Sequence, residues 1–125
     1  MTEQPEYSAA IKELAADLEL FGRMNDPTAA AHVRGPCGDE MEFYLVIENE
    51  RITDVRYHTD GCEITRACGA AVAREVRGLT VADALAVNPK AIANSLGRLP
   101  SGHRHCPILA VTTFFRAIAD YLLKP

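Results

Sequence analysis

The spacing of apolar and polar positions changes period several times along the chain. Tyr7, Ile11, Leu14, Leu18 and Phe21 recur at steps of four and three, which predicts one apolar stripe on an N-terminal helix ending at Gly22. After the turn-like Asn25-Asp26-Pro27 the period drops to two. Ala29, Ala31 and Val33 alternate with Ala30, His32 and Arg34, a strand that runs into Gly35-Pro36-Cys37-Gly38-Asp39. Met41, Phe43, Leu45 and Ile47 alternate with Glu42, Tyr44, Val46 and Glu48, the pattern of a strand with one buried face. Asn49-Glu50 makes a short turn, and Ile52 to Thr59 returns with Val55, Tyr57 and Thr59 on one face. Ile52 and Val55 are out of phase, so a bulge is expected between them.

From Gly61 onward the period lengthens again. Ile64, Cys68, Ala71, Val72 and Val76 fall on one helical face, with Gly78 as the stop. Thr80-Val81-Ala82-Asp83 has the form of a capping box for a short helix to Val87, and Asn88-Pro89 starts another that ends near Gly97. Beyond the loop Arg98-Leu99-Pro100-Ser101-Gly102, residues Ile108, Val111, Phe115, Ile118 and Leu122 predict a long amphipathic helix. Strands first and helices afterwards define an α+β fold. The expected form is a three-stranded antiparallel sheet with helices packed on one face, an N-terminal helix and a long C-terminal helix.

A chain of 125 residues without repeats, linkers or low-complexity segments reads as a single domain over 1–125. With 48% hydrophobic and 24% charged residues it can build a core. The formal net charge of -4 gives no basic footprint for nucleic acid, and no apolar run is long enough to cross a membrane. The acidic start Met1-Thr2-Glu3-Gln4-Pro5-Glu6 lacks the regions of a signal peptide, so a cytoplasmic location is expected. In that reducing compartment the four cysteines are read as thiols or metal ligands rather than as disulfides.

Three of the cysteines fall at element ends. Cys37 and Asp39 share a Gly-Pro-Cys-Gly-Asp turn between two strands, where glycine and proline let both side chains converge. Cys62 lies where the return strand gives way to a helix, and Cys106 before Pro107 is placed at the cap of the last helix. Helix amides and the positive dipole end favour a thiolate at both positions. Soft thiolates select zinc, copper(I) or iron–sulfur clusters, whereas the Asp39 carboxylate is a harder and weaker ligand, so such a site would exchange its metal. His105 adds an imidazole beside Cys106.

By residue type and spacing alone, each of these three cysteines is as readily a small buried hydrophobe as a ligand. Cys68 falls on the apolar stripe with Ile64 and Val72 and is read as core, and His32 and His58 are read as strand-face residues. A Cys₃Asp or Cys₃His set also suits one tetrahedral zinc in a small binding module. A thiol enzyme with Cys106 as nucleophile and His105 or His103 as base is a third reading, without an oxyanion or substrate motif to accompany it.

Cys37-Gly38-Asp39 before a strand, Gly61-Cys62 before a helix and His105-Cys106 opening the last helix occur in order. Together with Gly78 to Leu85 and Leu109-Ala110-Val111, they make the chain resemble the NifU-like, IscU-type scaffold family from about Thr28 to Tyr121. The resemblance implies a scaffold rather than an enzyme. Such a scaffold accepts sulfur from a cysteine desulfurase, binds iron, holds a transient [2Fe-2S] cluster and passes it to acceptor apoproteins, as a monomer or homodimer. It implies Cys37, Cys62 and Cys106 as ligands and sulfur acceptors, Asp39 as fourth ligand or labilising neighbour and His105 as an alternative ligand, with zinc able to occupy the purified protein.

Two stretches depart from the family pattern. Where many members read Leu-Pro-Pro-Val-Lys, this chain reads Leu99-Pro100-Ser101-Gly102-His103, so recognition by the specialised chaperone is not expected. The run Glu63-Ile64-Thr65-Arg66-Ala67-Cys68 replaces the small residues usual after Cys62 and points to a divergent branch with its own acceptors.

Overall fold

Alternation along Met41 to Ile47 produces the central strand of the fold. In a computed structural model that describes residues 8–36, 38–97, 99–100 and 102–124, β1 (Ala29–Arg34), β2 (Glu40–Glu48) and β3 (Arg51–Thr59) form one antiparallel sheet in the order β1-β2-β3. Met41, Phe43, Leu45 and Ile47 point to the core, with Ile52, Val55 and Tyr57 of β3 beside them. Each such side chain, fully buried, contributes roughly 1.5–3 kcal/mol relative to exposure. The register steps at Val46/Ile47, where Val46 faces Asp54 and Ile47 faces Ile52, leaving Thr53 as the extra residue. The bulge expected between Ile52 and Val55 is there. Asn49 and Glu50 turn the hairpin with φ of 52° and 63°, the left-handed pair that matches strand twist in a two-residue loop.

The other sheet face is polar and laced with charge pairs. Arg23 Nε donates to Glu42 Oε1 at 2.9 Å, His58 Nδ1 lies 3.7 Å from Glu42, and Arg56 pairs with Asp54 at 2.6 Å. His32 pairs with Glu40. His32 and His58 are therefore strand-face residues, as the alternation implied.

Among the described residues five helices complete the fold: α1 (Ala9–Ala16), α2 (Glu63–Val76), α3 (Val81–Ala84), α4 (Pro89–Ser95) and α5 (His105–Leu123). α5 packs on β1 and β2, α2 on β3, and α1 on α2. Thr80 Oγ1 accepts from Asp83 N and Asn88 Oδ1 from Ala91 N, the caps read from the sequence. Ser8 Oγ accepts from Ile11 N and also donates to Leu96 O, tying α1 to the end of α4. No described helix is long and apolar enough to cross a membrane.

Three helices differ from the expectation, α3 by ending at Ala84 rather than at Val87. α1 stops at Ala16, five residues short of Phe21, and Leu18 is exposed while Leu20 is buried; Tyr7 lies outside the described residues. Asp17 Oδ1 accepts from Glu19 N, a local bond that competes with the helix. The chain from Leu20 then runs extended along the free edge of β3, with Tyr57 N donating to Leu20 O at 3.0 Å and Gly22 N to Tyr57 O at 2.7 Å. A sheet edge takes up backbone groups that a longer helix would have kept. In α5 the buried positions are Cys106, Pro107, Leu109, Ala110, Val111, Thr113, Phe114, Ala117 and Ile118, so Val111 and Ile118 of the expected stripe are buried, while Ile108 and Leu122 are exposed and Phe115 is half-buried. Alanines and a threonine interleaved with Leu109, Phe114 and Ile118 let the helix approach the sheet, so the buried face is turned away from Ile108 and Leu122. On the opposite sheet edge, Asp120 Oδ2 of α5 accepts from Ala30 N at 3.0 Å, and this backbone bond holds its carboxyl below the usual range.

α2 lies close on β3 because position 69 has no side chain. A Cβ there would sit 2.5 Å from Tyr57 Cδ2 and 2.9 Å from Cε2. The Tyr57 hydroxyl, fully buried, finds no hydrogen-bond partner among the described residues, and burial pushes its pKa up to about 12. We expect Gly69→Ala to destabilise by about 1–3 kcal/mol through overpacking. Tyr57→Phe should be neutral or stabilising, because the lost hydroxyl was buried without a partner. Urea unfolding of both variants checks this, and a costly Tyr57→Phe would contradict it.

On the polar face the hydrogen-bonded Arg23 guanidinium holds Glu42 at about 2, below its ordinary 4.5. A lowered carboxyl pKa contributes stability that is present above the unfolded value and is lost as pH falls through the folded value. Acid sensitivity between about pH 4.5 and 2 should therefore weaken in Glu42→Gln. Thermal melts across that interval measure it, and an unchanged acid limb would show that the pair carries none of it.

Candidate functional site

Antiparallel pairing brings three chain segments to one end of the sheet. Arg34 faces Glu40 across β1 and β2, and Met41 faces Thr59 across β2 and β3. The Gly35 to Asp39 turn and the Asp60-Gly61-Cys62 connection therefore leave the sheet side by side. Gly35 N donates to Asp39 O at 2.7 Å and Gly38 N to Gly35 O at 3.0 Å, with Gly38 at φ 92°, a conformation that favours glycine. Glu40 N donates to Asp60 Oδ1 at 2.9 Å, and Thr59 Oγ1 bridges Glu40 O and Gly61 N. These bonds lock the two connections together.

α2 begins with Cys62 as its N-cap residue, without a side-chain capping bond. The first turn of α5 arrives at the same place. Arg104 is the cap residue of α5, so Cys106 lies one step inside the helix rather than at its cap. His103 N donates to Pro100 O and Cys106 N to His103 O, both at 3.2 Å, so His103 and His105 are wound over Cys106 with ring centroids 6.4 Å apart.

Thr65 lies where these segments meet. It is fully buried, in the first turn of α2 and three residues after the N-cap residue Cys62. Its Oγ1 donates to Asp39 Oδ2 at 2.9 Å and lies 3.5 Å from Cys62 Sγ and 3.6 Å from Cys106 Sγ. His103 Nδ1 is 4.0 Å from Cys62 Sγ and 3.8 Å from Cys106 Sγ, and His105 Nε2 is 3.7 Å from Cys106 Sγ. Of the expected site residues, Asp39, Cys62, His105 and Cys106 are thus brought together, whereas Cys37 lies outside the described residues. Among the described residues no group of three His, Cys, Asp or Glu side chains already surrounds a metal position.

The access of the thiols differs. Cys62 is exposed, and Cys106 and Cys68 are buried. Burial, reinforced by the neighbouring sulfurs of Cys106 and Cys62, pushes the Cys68 thiol far above its ordinary pKa. It is a core residue, as its helical phase implied. Of two further contacts, Thr65 was not among the expected residues, and His103 was expected only as a base in the thiol-enzyme reading. Thr65 could have been found from its i+3 spacing to the N-cap residue Cys62, and His103 from its place three residues before Cys106 at the entry to α5, since both separations bring side chains together at a helix start.

The chain belongs to the NifU-like N terminal domain family, whose model matches residues 6–125. It is 35% identical over 119 residues to the iron–sulfur cluster assembly scaffold protein IscU 1 of Archaeoglobus fulgidus, covering 94% of this chain and 78% of that one. Similarity to the iron–sulfur cluster assembly scaffold protein IscU of Aquifex aeolicus is 33% over 122 residues, covering 95% and 78%. In fold it is similar to a solved nitrogen-fixing NifU-like protein (N-terminal) from Brucella abortus, with TM-score 0.75, 23% identity and coverage of 94% and 95%. The three-stranded antiparallel sheet with its N-terminal and long C-terminal helices is that fold.

The thiol environments predict an order of reaction. Thiolate fraction and access set alkylation rates, so iodoacetamide under native, reducing conditions should modify Cys62 well before Cys68. Peptide mass spectrometry against time reads the order, with Cys68 reacting only once the protein is unfolded in denaturant. Modification of native Cys68 at the rate of Cys62 would contradict its placement in the core.

Proposed function

We propose that this chain is an iron–sulfur cluster assembly scaffold. It accepts sulfur from a cysteine desulfurase, binds iron and assembles a labile [2Fe-2S] cluster on Cys37, Cys62, Cys106 and Asp39. His105 can take a coordination place, and the cluster passes to acceptor apoproteins. The observation that carries this reading is the convergence of Asp39, Cys62 and Cys106 on Thr65 at one end of the sheet. The chain that carries it belongs to a family whose curated relatives include named cluster-assembly scaffolds.

The chemistry follows from the ligand set. Exposed Cys62 is placed to receive sulfur: its thiolate attacks the outer sulfur of a donor persulfide, a new S–S bond forms on Cys62, and the donor cysteine leaves as thiolate. Buried Cys106 supplies a second soft ligand. The Asp39 carboxylate binds iron less strongly than thiolate in a sulfur-rich site, so it is the ligand an incoming acceptor thiol displaces first. Leu99 packs against the core, and the 99–103 stretch lacks the Pro-Pro-Val-Lys sequence, so the reading includes no specialised chaperone.

Anaerobic reconstitution with ferrous iron and sulfide, followed by absorption and Mössbauer spectroscopy, tests the assignment. A zinc module would keep zinc and form no chromophore. Asp39→Ala should still assemble a cluster but transfer it to an apo-ferredoxin on the order of tenfold more slowly, the lower end of what changes around metal ligands do, and retain it longer. Unchanged transfer would reduce Asp39 to a turn residue.

A further inference from the structure

We propose that Thr65 is the positioning residue of this site: its hydroxyl fixes Asp39 Oδ2, leaving Oδ1 to meet a metal ion, and in the metal-free protein seats the Cys62 and Cys106 thiols beside that carboxylate. The inference rests on the ligand assignment above and adds a residue that the assignment does not include.

A threonine hydroxyl has one proton to donate and two lone pairs to accept with. Here the proton goes to Asp39 Oδ2 at 2.9 Å. The oxygen can then meet the sulfurs of Cys62 at 3.5 Å and Cys106 at 3.6 Å only as an acceptor from their S–H groups. Three candidate ligands from three separate segments thereby use the whole bonding capacity of one buried hydroxyl.

The other buried polar side chains serve the backbone. Among the described residues these others are Thr59 and Thr113. Thr113 Oγ1 donates to Leu109 O within its own helix, and Thr59 Oγ1 to Glu40 O. The Thr65 hydroxyl alone of the three is turned toward thiols and a carboxylate. Valine would fill the same volume without the cost of burying a hydroxyl, so core packing does not account for it.

Gly61 keeps the approach open. A Cβ at that position would lie 2.7 Å from Thr65 Cβ, 2.8 Å from Cγ2 and 2.9 Å from Asp39 Oδ2. Any larger residue would wedge the pair apart. A carboxylate that accepts a hydrogen bond on one oxygen is held in the orientation its metal requires, and loss of such an outer partner typically weakens metal binding by about 10–100-fold.

Cobalt(II) binding to the full chain, kept anaerobic and reduced, tests the proposal by chelator competition and visible absorption. Thr65→Val should bind about 10–100-fold more weakly, with Thr65→Ala as a second removal of the hydroxyl and thermal melts as the check on folding. Thr65→Ser should restore affinity. The visible bands of Thr65→Val should shift as Asp39→Ala bands do, and Thr65→Val should add little in an Asp39→Ala background. Thr113→Val, which also loses a buried hydroxyl, should keep wild-type affinity. Wild-type affinity in folded Thr65→Val or Thr65→Ala, or failure of Thr65→Ser to restore it, overturns the role of Thr65 and leaves the ligand assignment standing. A wild-type chain that binds no cobalt overturns the assignment itself.

Discussion

The close seating of α2 on β3 is the constraint from which the site follows. With no side chain at Gly69, the helix settles onto the Tyr57 ring, where a Cβ would come within 2.5 Å. One turn earlier on the same face, Thr65 is carried down to the level of Asp39, and at the head of the helix Gly61 lets the two touch. Small residues at both points set the distance between helix and sheet. A helix held farther out would leave the Thr65 hydroxyl without Asp39, and the three segments that converge there would share no common contact.

Sheet topology supplies the other half of the arrangement. Antiparallel neighbours turn at opposite ends in alternation, so the β1–β2 turn and the exit from β3 share one end while the Asn49-Glu50 hairpin occupies the other. Closing both outer edges fixes the sheet in place. Residues 20–22 run along β3, and the Asp120 carboxylate holds the amide of Ala30 on β1. α5, anchored along β1 and β2, then delivers His103, His105 and Cys106 over the end of the sheet where Asp39 and Cys62 stand.

How much of this was legible in the sequence depended on whether the signal was local. The alternation of β2, the bulge before Val55 and the caps at Thr80 and Asn88 each arise from residues within a few positions of one another, and each was readable. The end of α1 was not, because Leu20 and Gly22 bond to Tyr57, more than thirty positions away in the chain. The buried face of α5 was misread for another reason. The expected stripe Ile108, Val111, Phe115, Ile118 and Leu122 holds two buried residues, Val111 and Ile118, but the rest of the buried face, 106–107, 109–110, 113–114 and 117, is made partly of small residues that permit close approach. At the site the cysteines, Asp39 and His105 drew attention by residue type. Thr65 did not, since threonine on a buried helix face reads as packing until its partners are known.

The gradient of exposure across the sulfurs bears on the order of events in the proposed scaffold. Cys62 meets solvent, whereas Cys106 and Cys68 are both buried, and burial keeps the Cys68 thiol protonated. A donor that has to reach a sulfur nucleophile finds Cys62 first, and a cluster built inward from it would be shielded on the Cys106 side. Departure reverses this order only if the shell has a weak point open to an acceptor, and a half-buried carboxylate held from beneath by Thr65 meets that condition. In the proposed scaffold its anchored oxygen would keep it in place while a metal is held, and its lower affinity than thiolate for iron in sulfur surroundings would let it yield to an incoming thiol. Four thiolates would hold a cluster more firmly and release it less readily, so an aspartate fixed in this way is consistent with a site whose task is to give its cargo up.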